Sequence, residues 1–432
     1  MSFLKFEKLW IDELHSDNVF QIIKSVSHIR NCYGDTHLVR FACAFVAPVY
    51  IAYATFIVND ARRRGIKKLY FINRDAYLIW KIVESFNLSD IDCEYIFLSR
   101  KSLSLPYLRS GNCDKFKFIS GLDGKFKAKR DINEILSRIG LSLQQIHYKY
   151  NIIYNQDNAD TDIEINRFID SLFRNESFIN SLRQNGLEQY NLFHRYIKQK
   201  GLTESPELSA IVDIGWIGTT RAMLKDLLES NNIIVPLHYY LGTSEDVLSC
   251  QYGDFVSFID SSEKLYSFPC VPILENYFSL SPYGSTISYK SCPDGTVIPV
   301  LSKRLDSYRY EALRANVNVC TELGKIISSM QYQMSTDLMK KWASISLKAM
   351  LNYDRMDIKY NVLGHGKSNE GRPLVKKVGI LKSLKFLLCE ITPQDKLNMF
   401  YSFPYHYAKN IMRAHYIISR LRLQEICVKL MK

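Results

Sequence analysis

The chain has 432 residues and a mass of 50.2 kDa, room for about two to three domains. With 47% hydrophobic residues, 23% charged residues and little Gly or Pro, collagen-like, low-complexity and long disordered chains are excluded. The net charge of +12 is uneven: residues 301–432 carry 23 Lys and Arg against 10 Asp and Glu, and the first 300 residues are nearly neutral. Such asymmetry points either to an anionic partner for that segment, phospholipid or nucleic acid, or to a solvated helical face.

In chain order, residues 1–65 are predicted to be a helical lead-in. It begins with MSFLKFEKLWIDELHSDN, whose acids exclude a signal peptide. The charge-free run Phe41–Val58 is at the lower length limit for a membrane span. Pro48, several Ala and the close flanks Arg40 and Asp60 make a buried helix the better reading. Arg62–Arg64 followed by Gly65 is a basic last turn and a C-terminal glycine.

Residues 66–73 (IKKLYFIN) read as a strand, 74–86 as a helix and 93–99 (CEYIFLS) as a second strand. Strand, helix and strand in so short a span make a βαβ unit and a parallel α/β core. Residues 107–200 are expected to form a helical insertion, with the polar stretch 155–166 as a connection. The core resumes with strand 208–216, helix 218–230 and strand 233–242, so that 66–106 and 201–300 form a Rossmann-like core. Residues 301–432 form a basic, mainly helical region broken by the loop 363–373. The ten cysteines show no CxxC spacing, the pattern of reduced thiols in a cytoplasmic protein and not of a disulfide frame or zinc site.

Open α/β sheets bind ligands at the carboxyl ends of their strands. Three such ends carry chemistry here. Asn73-Arg74-Asp75-Ala76 offers a carboxylate for a metal or a proton and a cation for phosphate, unless Asp75 only caps the next helix. Ser99-Arg100-Lys101-Ser102 offers an anion site or an ordinary charged loop. In Asp213-Ile214-Gly215-Trp216-Ile217-Gly218-Thr219-Thr220 the glycines let backbone N–H groups approach a phosphate at a helix start. A fourth segment, 273–289, places Glu275 near Gly284-Ser285-Thr286, either to close over a substrate or to pack on the core. No His spacing, GxSxG or Cys/His pairing supports metal-hydrolase or acyl chemistry.

These motifs, in this order, resemble a family. LYFINRDAY is similar to the FLSRDG element of bacterial haloacid-dehalogenase-like predicted hydrolases from surface-polysaccharide loci. IFLSRKSLSLP resembles their SRR-x-L-x-x-P element and VDIGWIGTT their VDIGW-x-G-S/T element. LENYFSLSPYGSTISY is similar to their later LE element, which runs on to a P-x-G turn. The resemblance covers about residues 30–300 and implies a haloacid-dehalogenase-like Rossmann core. It also places Asn73 where phosphatases of this kind carry their nucleophilic Asp, with Asp75 at the acid position, Ser99 as the hydroxyl after the second strand and Asp213 as the late metal-binding Asp.

An amide cannot form an aspartyl-phosphate. The resemblance therefore implies transfer without a phosphoryl-enzyme, as in phosphoribosyl-transferring modules of polysaccharide assembly. The expected activity is transfer of ribofuranose 5-phosphate from phosphoribosyl diphosphate to a glycan or lipid-linked glycan, in O-antigen or capsule biosynthesis. Mg²⁺ would sit on Asp75 and Asp213. Arg74, Ser99, Arg100, Gly215, Gly218, Thr219, Thr220, Glu275 and Ser285 would contact substrate phosphate and sugar. A sugar-phosphate phosphohydrolase and a non-catalytic scaffold are the alternatives. A lipid-linked acceptor would give the basic tail, 12 Lys and Arg against three acids in residues 372–432, a reason to dock at the cytoplasmic leaflet. Nucleic acid is disfavoured for want of a recognition motif.

Overall fold

The computed structural model describes residues 4–16, 18–122, 131–154, 162–243, 254–259, 271–302, 307–330 and 335–352. The basic tail, the loop 363–373, and Cys250, Cys270, Cys389 and Cys427 lie outside the described residues.

Helices α1 (Leu4–Leu14), α2 (Asn18–Tyr33), α3 (His37–Phe41) and α4 (Ala47–Arg64) lead in, with a π-helical turn at Ala42–Val46 joining α3 to α4. His37–Arg64 is long and apolar enough to cross a membrane, yet 94% of its most apolar stretch is buried inside the protein, as the sequence reading preferred. It ends as expected on Gly65, left-handed at φ 74°, whose N–H returns to the carbonyls of Ala61 and Arg62.

Strand β1 (Lys68–Ile72) passes through α5 (Tyr77–Ser85) to β2 (Asp92–Ile96). Helices α6 (Arg100–Tyr107), α7 (Cys113–Ser120), α8 (Ile132–Ser137), α9 (Leu143–Tyr150), α10 (Asp162–Leu172) and α11 (Glu176–Gln199) follow. Strand β3 (Ser209–Asp213), α12 (Thr219–Glu229), β4 (Leu237–Gly242) and β5 (Phe255–Ile259) complete the sheet. The short α13 (Val271–Ile273) runs into a second π-helical turn, Leu274–Phe278. The hairpin β6 (Thr286–Ser291) and β7 (Val297–Leu301) follows, then α14 (Ser307–Ser329) and α15 (Thr336–Asn352).

The five strands are all parallel in the order β2-β1-β3-β4-β5, a Rossmann-like α/β fold with a helical C-terminal region. Period-two alternation gives the sheet two apolar faces. Leu69, Phe71, Ala210, Val212, Tyr239 and Leu241 pack with α1–α5, α14 and α15. Tyr70, Ile72, Ile96 and Ile211 pack with α6–α12 and the hairpin.

Four expectations change. The polar stretch 155–166 is not all connection, because α10 already begins at Asp162. Ser99–Ser102 is no loop but the start of α6, since Ser99 and Ser102 close a reciprocal capping box. Strand 233–242 begins only at Leu237, after Pro236, which has no N–H for a ladder. The segment 273–289, read as turns, contains the π-helical turn and β6, and the β6–β7 hairpin was not anticipated. The described cysteines are free thiols.

Candidate functional site

The strand order reverses between β1 and β3, the switch point where doubly wound sheets leave a crevice above their carboxyl ends. Asn73–Ala76 leaves β1 on one side of it and Asp213–Gly218 leaves β3 on the other. The loop that enters β6 crosses the ends of β1 and β2. Its anchors are Asn73 Nδ2, which donates to Gly284 O at 2.9 Å and Thr286 Oγ1 at 3.1 Å, and Ser99 Oγ, which donates to Thr286 O at 2.6 Å.

Arg74 is held at φ 73°, a left-handed conformation unusual for a non-glycine residue and a mark of functional turns. Its N–H donates to Tyr95 Oη, and its guanidinium Nε lies 2.8 Å from Asp75 Oδ1. Asp75 does not cap α5: the cap position is Ala76, without a side-chain hydrogen bond. Among the described residues the Asp75 carboxylate, about a quarter exposed, pairs with Arg74 alone.

Asp213 is buried, and one of its oxygens accepts the N–H of Ile214 at 2.7 Å. Burial, and after it the negative charge of Asp75, raise its pKa to about 7, against the smaller opposing pull of the Ile214 N–H, Arg100 and Arg74. The π-helical turn delivers Glu275 to the same place, where Trp216 Nε1 donates to its Oε1 at 2.9 Å. Burial and Asp75 raise the Glu275 pKa as well. Burial works against the charge on Arg74, but Asp75, Glu275 and Asp213 outweigh it and hold the guanidinium above its usual value. Three carboxyl groups thus share one field with two guanidinium groups, those of Arg74 and Arg100.

The remaining sequence candidates divide by what already occupies them. Ser99 Oγ accepts from Ser102 N and donates to Thr286 O, so its hydroxyl serves the fold. Arg100, the first residue of α6, is exposed, and its charge reaches both Asp213 and Glu275. Gly215, at φ 119°, passes so close to β4 that a Cβ would stand 2.1 Å from Gly242 O. Gly218 is left-handed and opens α12 with no side-chain cap, and Thr219 and Thr220, both half-buried, form the first turn of the helix. Ser285 is tied through its backbone to Ser302, with N–H to Ser302 Oγ and Ser302 N–H to its carbonyl, both at 2.9 Å.

Three residues that shape the site escaped sequence reasoning. Tyr95 donates from its hydroxyl to Asn73 Oδ1 at 2.7 Å and so fixes the amide's orientation. Tyr53, on the apolar helix α4, donates to the carbonyl oxygen of Asp213 at 2.8 Å and pins the end of β3. Trp216 orients Glu275. Only Trp216 carried a signal, its place inside the VDIGW motif; the two tyrosines lie in ordinary apolar runs.

Among the described residues, no group of three or more His, Cys, Asp and Glu side chains stands at metal-ligating geometry. A hard cation here would have at most two carboxylates from the protein, the usual situation when substrate phosphate and water supply the other ligands. The like charges of Asp75 and Asp213 suit such an ion. No model of a known protein family matches the chain, and no curated protein is significantly similar to it.

Proposed function

We propose that this chain is a glycosyltransferase-type enzyme of bacterial surface-polysaccharide biosynthesis with a haloacid-dehalogenase-like core. In this proposal it transfers ribofuranose 5-phosphate from phosphoribosyl diphosphate to a glycan acceptor. The observation that carries the proposal is Asn73. Phosphatases with a haloacid-dehalogenase-like core need a free carboxylate at the end of the first strand, and here that position holds an amide whose nitrogen and oxygen are both committed to the fold.

In the proposed reaction an acceptor hydroxyl oxygen forms a bond to the anomeric carbon of the donor. The bond from that carbon to the diphosphate oxygen breaks, and the diphosphate leaves with the electron pair. Asp75, beside Arg74 and partly exposed, is placed to take the proton of the acceptor hydroxyl. Arg74, Arg100 and the first turn of α12 supply positive charge for the donor phosphates. Glu275, held by Trp216, offers its second oxygen to a sugar hydroxyl. A divalent ion such as Mg²⁺, when bound by Asp75 and Asp213, would neutralise the diphosphate.

The deciding experiment measures diphosphate release from phosphoribosyl diphosphate with a glycan acceptor library, and phosphate release from sugar phosphates, on the full chain. The proposal expects acceptor-dependent diphosphate release, background phosphate release, and loss of activity in Asp75→Asn with Tm changed by no more than about 3 °C. Robust phosphate release would replace it with the phosphohydrolase reading. Inactivity in both assays would favour a non-catalytic scaffold.

A further inference from the structure

The rim of the site carries an aromatic ring that neither phosphate binding nor the carboxylate chemistry employs. Tyr283 lies in the loop between the π-helical turn and β6 and is 38% exposed, although it belongs to a cluster of rings that are otherwise mostly covered. Its position is fixed from behind. The Tyr95 ring lies 6.0 Å away at a 35° tilt, with Phe97 edge-on at 5.3 Å and Tyr77 edge-on at 6.1 Å. Trp80 stacks flat on Tyr95 at 4.9 Å, which backs the cluster further.

The loop backbone is equally tied. Tyr283 N–H donates to Ser281 Oγ at 3.2 Å, and the next residue, Gly284, accepts from Asn73 at 2.9 Å. The cluster touches the chemistry directly, because the hydroxyl of Tyr95 accepts the N–H of Arg74, the neighbour of Asp75. A partly exposed ring, braced by three others and linked through Tyr95 and Arg74 to Asp75, is a rigid contact surface with little conformational entropy to lose on binding.

We infer that Tyr283 is the stacking platform for the acceptor sugar, a subsite that rests on the transferase reading above. A sugar ring has an apolar face of C–H groups and a rim of hydroxyls. The C–H face would lie on Tyr283, and the rim would meet the carboxyl groups of Asp75 and Glu275. The phosphorylated donor takes the guanidinium side of the site, so donor and acceptor approach Asp75 from different sides.

Binding of the full chain to a glycan array, followed by calorimetry with the strongest glycan, tests this without requiring turnover. Tyr283→Ala should weaken binding about tenfold, and Tyr283→Phe should retain it. Asp75→Asn, which cannot turn over, should still bind in a Tyr283-dependent way. Inorganic diphosphate, titrated as a separate probe, should bind Tyr283→Ala and wild type equally, which shows that the fold of the site survives. Equal glycan binding by Tyr283→Ala and wild type, no bound glycan, or a preference of Tyr283 for nucleotides over glycans overturns the platform. Acceptor-dependent diphosphate release with no role for Tyr283 would remove the platform and keep the transferase. Tyr283-dependent glycan binding without any diphosphate release would keep the platform and remove the reaction.

Discussion

The side-chain nitrogen of Asn73 donates to the main-chain oxygen of Gly284 at 2.9 Å, and this contact sutures the end of β1 to the loop that enters β6. The same nitrogen reaches Thr286 Oγ1, and the amide oxygen accepts from Tyr95. The residue is 4% exposed. Its role depends on being a donor and an acceptor at once, which an amide provides and a carboxylate does not.

Asn73→Asp should therefore damage the fold before it creates a phosphatase. The carboxylate would face the Gly284 carbonyl with no proton to offer, and a buried acceptor left without its partner costs about 1–3 kcal/mol, more when charged. We expect Tm to fall by roughly 5 °C at pH 8. The fall should be smaller at pH 5, where a buried carboxyl is protonated more readily and regains a donor. Thermal scans at both pH values, with a trapping assay for phosphoryl-enzyme, check this. An unchanged Tm together with new hydrolysis would show that the amide holds nothing.

Much of this frame was readable in the chain, because local signals and tertiary structure agree there. Gly65 after three arginines ended a helix, and LYFIN and SAIVD were buried strands with polar residues at their carboxyl ends. Other features were not readable, or were readable and passed over. A single π-helical turn leaves no periodicity in five residues, so the route by which Glu275 reaches Trp216 and the field of Asp75 is a tertiary fact. Ser99–Ser102 looked like a charged loop because its capping box is closed by Ser and not by Glu or Gln. The β6–β7 hairpin did announce itself: Pro293-Asp294-Gly295 is turn chemistry, and Gly295 is left-handed at φ 84° between two runs of strand-forming residues.

The two glycines of the β3–α12 loop should respond differently to the same substitution. At Gly215 a Cβ would stand 2.1 Å from Gly242 O, backbone against backbone, where Gly242 N–H also donates to Ile214 O. Gly215→Ala must push β3 and β4 apart, and we expect insoluble protein or a loss above about 3 kcal/mol. At Gly218 the nearest atoms to such a Cβ are Arg221 Nη2 at 3.7 Å and Tyr240 Oη at 3.8 Å, ordinary contacts. Gly218→Ala pays only for its left-handed backbone, about 1–2 kcal/mol. It should fold, with Tm lowered by a few degrees and weaker binding of inorganic diphosphate. Equal stability of the two variants would contradict the close approach at Gly215.

The buried carboxyl of Asp213 should make the protein's stability depend on pH in a direction opposite to that of most acids. Its pKa rises from the ordinary 3.8 of an aspartate to about 7, through burial first and the charge of Asp75 second. The folded protein then holds a proton that the unfolded chain releases near pH 4. Where the folded state binds more protons, stability falls as pH rises. The contribution of Asp213 is thus fully present below about pH 4 and is lost progressively as pH climbs through about 7. Asp213→Asn keeps an acceptor for the N–H of Ile214, which the aspartate now provides at 2.7 Å, and removes the proton equilibrium. We expect Asp213→Asn to match wild type near pH 4 and to exceed it in Tm at pH 8, the difference building up between about pH 4 and pH 7. Asp75→Asn should give a smaller change in the same direction, because it removes only the second cause. Parallel Tm curves for Asp213→Asn and wild type from pH 5 to pH 8 would show that Asp213 is ionised throughout. A gap that widens between about pH 4 and pH 7 and then levels off would instead show that folding holds a proton in the crevice between β1 and β3, next to the carboxylate that the proposed transfer uses as its base.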